Sequence, residues 1–181
     1  MDRFFVLTGG PGSGKTTLLA ALAEQGLPHM PEAGRAVIRD QMAMGGTALP
    51  WEDREAFADR MLEQDLASYD AAMSRSGILF FDRGIPDIIG YRTLCGLAIP
   101  GDLMRAARTR RYHRHVFIAP PWQEIYARDR ERRQDWAEAV DTHDAMLRVY
   151  RDLQYVPVPL PLAAPDARAA FVRQSIARWA V

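Results

Sequence analysis

The sequence predicts an α/β protein of three layers, a five-stranded and mainly parallel sheet with helices on both faces. Three observations carry that expectation. Five short apolar runs are separated by segments with helical periodicity, the arrangement that parallel strands and crossover helices require. The run over 78–81, Ile-Leu-Phe-Phe, is continuously apolar, as a strand buried on both faces is. A glycine-rich turn joins the first apolar run directly to the first helical pattern. At 181 residues, without repeat or low-complexity tract, the chain is read as one domain over 1–181.

In order, a strand over 4–8 leads into the glycine-rich turn and a helix that stops at Gly26. A short second strand over 27–30 ends at Pro31-Glu32 and precedes a helix starting at Ala33. A loop over 44–50 is followed by a long helix over 51–74, whose Phe57, Met61, Leu62, Leu66, Tyr69 and Met73 form a buried stripe, with Gln64 and Asp65 beside it. The third strand, over 78–81, runs into Asp82-Arg83-Gly84, and helical segments follow over 85–96 and after Pro100-Gly101. His113-Arg114-His115 opens a fourth strand that ends at Ala119 and is stopped by Pro120-Pro121; a helical region then runs to about 153. The fifth strand, over 154–162, carries Pro157, Pro159 and Pro161, which confine it to a sheet edge, and Asp166 is placed to cap the last helix, over 167–179.

The turn reads Gly9-Gly10-Pro11-Gly12-Ser13-Gly14-Lys15-Thr16-Thr17 and fits GxxxxGK(S/T), with a strand before it and a helix after it, the context the motif needs. Glycines let successive N–H groups point inward at phosphate oxygens, and the helix start adds unpaired N–H groups and a positive dipole end. Lys15 can reach the outer phosphates and the Thr16 hydroxyl can ligate Mg²⁺. Lys15 is also the only lysine among 23 basic residues, so a compact ammonium is used at the one place where a point charge suits a phosphate.

Two carboxylates fall at strand ends, the rim on which open α/β sheets bind ligands. Asp82 stands where a phosphate-binding protein of this type holds Mg²⁺, directly or through water, against the alternative of a turn residue. Arg83 is placed to meet a transferring phosphoryl group or to form an ordinary ion pair. Glu32 reads either as a rim carboxylate or as an N-terminal helix charge. Residues 126–135 pack four arginines into six positions just past the fourth strand, where an arginine-bearing lid over about 120–136 can close on phosphates.

A net charge of zero gives no broad drive toward nucleic acid or membrane, and Arg105, Arg108, Arg110 and Arg111 lack interleaved aromatics, so they read as a solvated helix face. His113 and His115 share a strand face but lack further ligands nearby, which disfavours a metal site. The single cysteine, Cys95, excludes an internal disulfide and reads as a small core residue. With no apolar segment of spanning length and no signal peptide, the expected location is the cytoplasm. A guanine reader, Asn-Lys-x-Asp, is impossible in a chain without asparagine, and Asp87 to Gly90 matches DxxG only in spacing. Asp82 is followed by Arg83, not by the glutamate with which motor-type ATPases polarise water.

The chain resembles the nucleoside and nucleotide kinase branch of P-loop proteins, and small bacterial proteins described as AAA-type ATPases or kinases, relatives of nicotinamide-riboside kinases. The resemblance rests on residues 9–17, Pro31 to Arg35, 80–84, Asp129 to Arg132, and the final Pro-rich strand with Asp166 and Arg168. It implies strand order 2-3-1-4-5, ATP and Mg²⁺ on the P-loop, a lid carrying Arg128 and Arg132, Glu32 or Asp82 holding or deprotonating an acceptor hydroxyl, and Arg83 steadying the phosphates. The activity it implies is transfer of the γ-phosphoryl group of ATP to a nucleoside, a nucleotide or a similar small metabolite. The competing expectation is an ATP-hydrolysing switch that acts on a protein partner.

Overall fold

In the computed structural model, which describes residues 3–126 and 135–179, five parallel strands form one sheet in the order β2-β3-β1-β4-β5. The strands are β1 (Phe4–Gly9), β2 (His29–Met30), β3 (Leu79–Asp82), β4 (His115–Ala119) and β5 (Val156–Pro159). The helices are α1 (Lys15–Glu24), α2 (Ala33–Met44), α3 (Arg54–Met73), α4 (Ile85–Leu94), α5 (Gly101–Thr109), α6 (Trp136–Asp152) and α7 (Pro165–Trp179), with one 3₁₀ turn at Gln123–Ile125.

Alternation along the central strands divides the core into two layers. Phe4, Val6, Phe81, Val116 and Ile118 point toward Tyr69 and Ala72 of α3 and Met146 and Tyr150 of α6. Phe5, Leu7, Phe80 and Phe117 point the other way, onto Leu18, Leu19 and Leu22 of α1 and Ala169, Val172 and Ile176 of α7. A third apolar cluster joins Ala58, Ile88, Leu103 and Val149 of α3, α4, α5 and α6. Each fully buried Leu or Phe contributes about 1.5–3 kcal/mol of transfer free energy, so the sheet centre is the least yielding part of the molecule.

Several elements are shorter than their sequence patterns. β2 keeps only two ladder residues of the expected four, because Leu27 N–H is turned back to Leu22 O at the end of α1 and Pro28 has no N–H to give. β5 starts at Val156 and ends at Pro159, at the sheet edge where its prolines belong. α3 begins at Arg54, since Asp53 caps it by accepting from Ala56 N–H at 2.9 Å; Met73, at its far end, is 48% exposed and outside the buried stripe. α6 begins at Trp136, behind an Asp135–Glu138 capping box. Asp166 lies within the first turn of α7 and does not precede it. Cys95 is half-buried at the C-cap of α4, not in the core. His113 and His115 each stack on Trp179, whose ring lies 4.1 Å from that of His115, and meet each other at a tilt. Arg110 pairs with Asp70 and Arg111 lies over the Tyr155 ring. Among the described residues no helix is long and apolar enough to cross a membrane.

Candidate functional site

The order 2-3-1-4-5 reverses direction on either side of β1, and ligands of open α/β sheets bind at the strand ends beside such a point. Leu7 is paired with Asp82, and Arg83 N–H donates to Leu7 O at 3.0 Å. The turn after β1 and the Asp82-Arg83-Gly84 corner after β3 therefore open on one rim. The short β2 brings Glu32 to the same rim, at the N-cap position of α2.

Gly9, Gly12 and Gly14 of the loop have φ values of +129°, +71° and +78°, the left-handed region that glycine alone adopts without strain. The Gly10 constraint is steric: a side-chain carbon there would stand 2.2 Å from the Ala139 carbonyl oxygen of α6. The loop thus needs glycine for packing as well as for its backbone turns. Ser13 Oγ donates to Gly10 O at 2.8 Å, and the Lys15 ammonium curls back onto Gly10 O at 2.6 Å, Gly9 O at 3.2 Å and Ser13 Oγ at 3.3 Å. Burial, reinforced by Arg83, pushes Lys15 down to about 7 against the opposing pull of Asp82, Glu32 and Asp87. Pro11 is buried, while Thr16 and Thr17 stand exposed in the first turn of α1. Past β4, the Tyr126 ring covers Gly12 and Ile125 reaches Gly14.

Asp82 is 8% exposed, and its Oδ1 has no hydrogen-bond partner among the described residues. Burial and then Glu32 raise its carboxyl above the usual range, although Lys15 and Arg83 oppose this. Arg83 holds a left-handed φ of +69°, rare for a non-glycine residue, and this aims its guanidinium between two carboxylates. Nε donates to Glu32 Oε1 at 3.1 Å and Nη1 to Asp87 Oδ1 at 3.2 Å. Glu32 pairs through Oε2 with Arg35 at 3.1 Å. Burial pushes the Glu32 carboxyl up, but Arg83, Lys15 and Arg35 outweigh it and hold the group below its ordinary value. The Glu32 side chain makes no capping bond to α2, so the helix-charge alternative describes where it sits and not what it binds.

Lys15, Glu32, Asp82 and Arg83 thus meet on one rim. Arg128 and Arg132 fall within 127–134, outside the described residues. Four further residues enter the site that sequence reasoning passed over or weighed lightly. Asp87, noticed only for its DxxG spacing, is buried and accepts from Tyr150 Oη at 2.6 Å, from Gly84 N–H at 3.0 Å, from Arg83 and from the Thr8 hydroxyl. Tyr150 is on α6, distant in sequence. Asp65 of α3 is 6% exposed, and burial, then Asp87 and Glu32, raise its carboxyl well above the usual range. Arg168, cited only within the resemblance, is buried behind the loop and donates to Ser13 O at 2.9 Å.

For Mg²⁺ the residues fit: a buried carboxylate oxygen without a partner, and a hydroxyl in the first turn of α1, are hard oxygen donors of the number such a site takes from protein. No cluster of three or more His, Cys, Asp or Glu that could hold a metal occurs among the described residues.

Comparison with known proteins agrees with this architecture. A family model described as an AAA domain matches residues 4–168. Among solved structures, the chain is similar to NadR protein in complex with NR at 21% identity and TM-score 0.67, covering 97% of this chain and half of that one. It is similar to shikimate kinase from Acinetobacter baumannii in complex with shikimate at 17% identity and TM-score 0.60, covering 98% and 94% of the two chains. Thymidylate kinase from Ehrlichia chaffeensis aligns at 14% identity and TM-score 0.65, covering 97% and 98%. No curated protein matches the chain in sequence. These likenesses establish the fold of small P-loop kinases, and the match over 4–168 means that the chain belongs to the AAA-domain family.

Proposed function

We propose that the protein is an ATP-dependent phosphotransferase that hands the γ-phosphoryl group to a hydroxyl of a small acceptor, and that residues 1–181 act as one such domain with a lid over about 120–136. The observation that carries this reading is the meeting of Lys15, Asp82, Arg83 and Glu32 on one rim, with an arginine and not a second carboxylate after Asp82. An arginine there stabilises charge on a transferring group, whereas water activation calls for a base.

In this account Gly9, Gly10, Pro11, Gly12, Ser13, Gly14, Thr16 and Thr17 cradle the triphosphate, and Lys15 leaves the loop carbonyls to meet its outer oxygens. Thr16 and Asp82 would hold Mg²⁺, which when bound neutralises charge on the phosphate oxygens. Glu32, kept ionised by Arg83, orients the acceptor hydroxyl and takes its proton as the new O–P bond forms and the bond to the ADP oxygen breaks. Arg83 lies close enough to that carboxylate to balance charge on the phosphoryl group in flight, and Arg128 and Arg132 of the lid would add to it. Little covalent chemistry is asked of the protein; positioning and electrostatics do the work.

The test is ADP release with ATP and Mg²⁺ across a panel of nucleosides, nucleotides and hydroxylated vitamins. A sharp rise with one compound supports transfer. Steady hydrolysis indifferent to the whole panel supports a protein-directed switch instead.

A further inference from the structure

Helices α1 and α7 pack on the same face of the sheet, Leu18, Leu19 and Leu22 against Ala169, Val172 and Ile176. Each follows a parallel strand, so both begin at the rim that carries the phosphate loop. Arg168, near the start of α7, is thereby carried behind that loop, where it is only 2% exposed. Its Nη1 donates to Ser13 O at 2.9 Å and stands 2.8 Å from where a side-chain carbon on Gly14 would be. The guanidinium also lies over the Trp122 ring, 5.8 Å from its centre.

The bond to Ser13 O fixes more than a carbonyl. In a trans peptide the C=O and the following N–H point in opposite directions, so anchoring Ser13 O on Arg168 turns the Gly14 N–H away from α7. That N–H, at the N-cap of α1, donates to no described residue, as a group offered to phosphate requires. Without the anchor, a loop whose glycines tolerate many backbone angles is free to rotate this peptide.

The rest of the guanidinium is unpartnered. Nε and Nη2 are buried and bond to no described residue. A buried cation with a single hydrogen bond to a neutral carbonyl is costly, and an apolar side chain of similar length would fill the space at less cost. A positive charge directly behind N–H groups that face an anion adds to the field of the α1 N-terminus.

Resting on the phosphate-binding part of the function proposed above, we infer that Arg168 is a positioning residue of the phosphate loop, which holds the Ser13–Gly14 peptide with its N–H toward the triphosphate. It acts through that peptide and does not touch the base of the nucleotide.

The experiment measures, by calorimetry with Mg²⁺, the binding of ATP and of inorganic tripolyphosphate to the full chain, to Arg168→Met and to Arg168→Lys. Urea unfolding without nucleotide shows that each variant is folded, and Arg168→Gln, too short to reach Ser13 O, takes the place of Arg168→Met if that protein does not unfold cooperatively. The expected result is that Arg168→Met weakens ATP and tripolyphosphate alike, by about tenfold or more, the worth of a charged hydrogen bond. Arg168→Lys, which keeps a charge and a donor, is expected to lose less with both ligands. A loss confined to ATP, with tripolyphosphate binding unchanged, places Arg168 on the base and overturns the inference. Unchanged affinity for both ligands overturns it as well, and leaves Arg168 as a tie between α7 and α1. Failure of the unaltered chain to bind either ligand overturns the phosphate-loop reading itself, and the inference falls with it.

Discussion

The Tyr150 hydroxyl donates to Asp87 Oδ2 at 2.6 Å, and through that carboxylate α6 is tied to the arginine at the end of β3. Asp87 also binds the Gly84 N–H and the Thr8 hydroxyl, so one buried residue joins β1, the β3 corner, α4 and α6. Arg83, with its strained backbone, is held in place by this junction.

Tyr150→Phe should therefore cost about 2 kcal/mol of stability, the loss of a buried hydrogen bond to a charged group. If the proposed transfer is right, it should also lower kcat by about tenfold, because a loosened Arg83 would no longer be held in register with the phosphoryl group. Denaturant unfolding and steady-state kinetics check the two effects; an unchanged kcat in a destabilised protein would limit Asp87 to a structural role.

Lys15 lies near 7 in the free protein because it is buried and beside Arg83. A bound triphosphate brings negative charge and favours the ammonium, so the lysine pKa rises on binding. At pH 8 the free group is mostly neutral and the bound group charged. ATP binding should then take up close to one proton, and affinity should fall as pH rises from 7 to 9. Calorimetry in buffers of different ionisation enthalpy measures the uptake. Lys15→Ala should abolish it and weaken ATP by about tenfold or more, the worth of a charged hydrogen bond.

Asp65 makes an opposite demand on stability. Its carboxyl has a raised pKa in the folded state, so above the unfolded value of 3.8 the native protein holds more protons than the unfolded chain. This contribution to stability is full below that value and declines as pH rises toward the folded one. Asp65→Asn should remove the decline and make the protein more stable at pH 7, by about 1–3 kcal/mol for a buried, uncompensated carboxylate. Thermal melts of both proteins from pH 4 to 8 decide it; a variant less stable at pH 7 would mean that Asp65 has a structural partner.

Gly10→Ala tests the packing requirement of the loop. The added carbon would stand 2.2 Å from Ala139 O, and that oxygen belongs to helix backbone, which cannot swing aside. We expect a loss of about 2–3 kcal/mol, typical of overpacking, measured by urea unfolding without any nucleotide.

Much of this site was legible because its chemistry is local in sequence. The loop, the Asp-Arg corner and the rim glutamate each follow a strand directly, so a strand pattern and a motif suffice to place Lys15, Asp82, Arg83 and Glu32. The sheet's edge followed from the prolines of β5. Asp87 could not be weighed in the same way, since its partners Thr8 and Tyr150 are 79 and 63 residues away. Asp65 reads as an ordinary helical carboxylate until the packing of α3 against its neighbours buries it, and Arg168 becomes part of the loop only when α7 packs behind it. Met73 failed in the opposite sense: its periodicity places it in the stripe, but α3 outruns its cover there.

The most direct test of phosphoryl transfer is the fate of labelled phosphorus. With γ-labelled ATP, Mg²⁺ and the acceptor panel, this account predicts that label appears in a new organic phosphate, and that Glu32→Gln lowers its formation by about a hundredfold or more while leaving ATP affinity intact. Recovery of all the label as inorganic phosphate, at a rate indifferent to the panel and to Glu32→Gln, would contradict it.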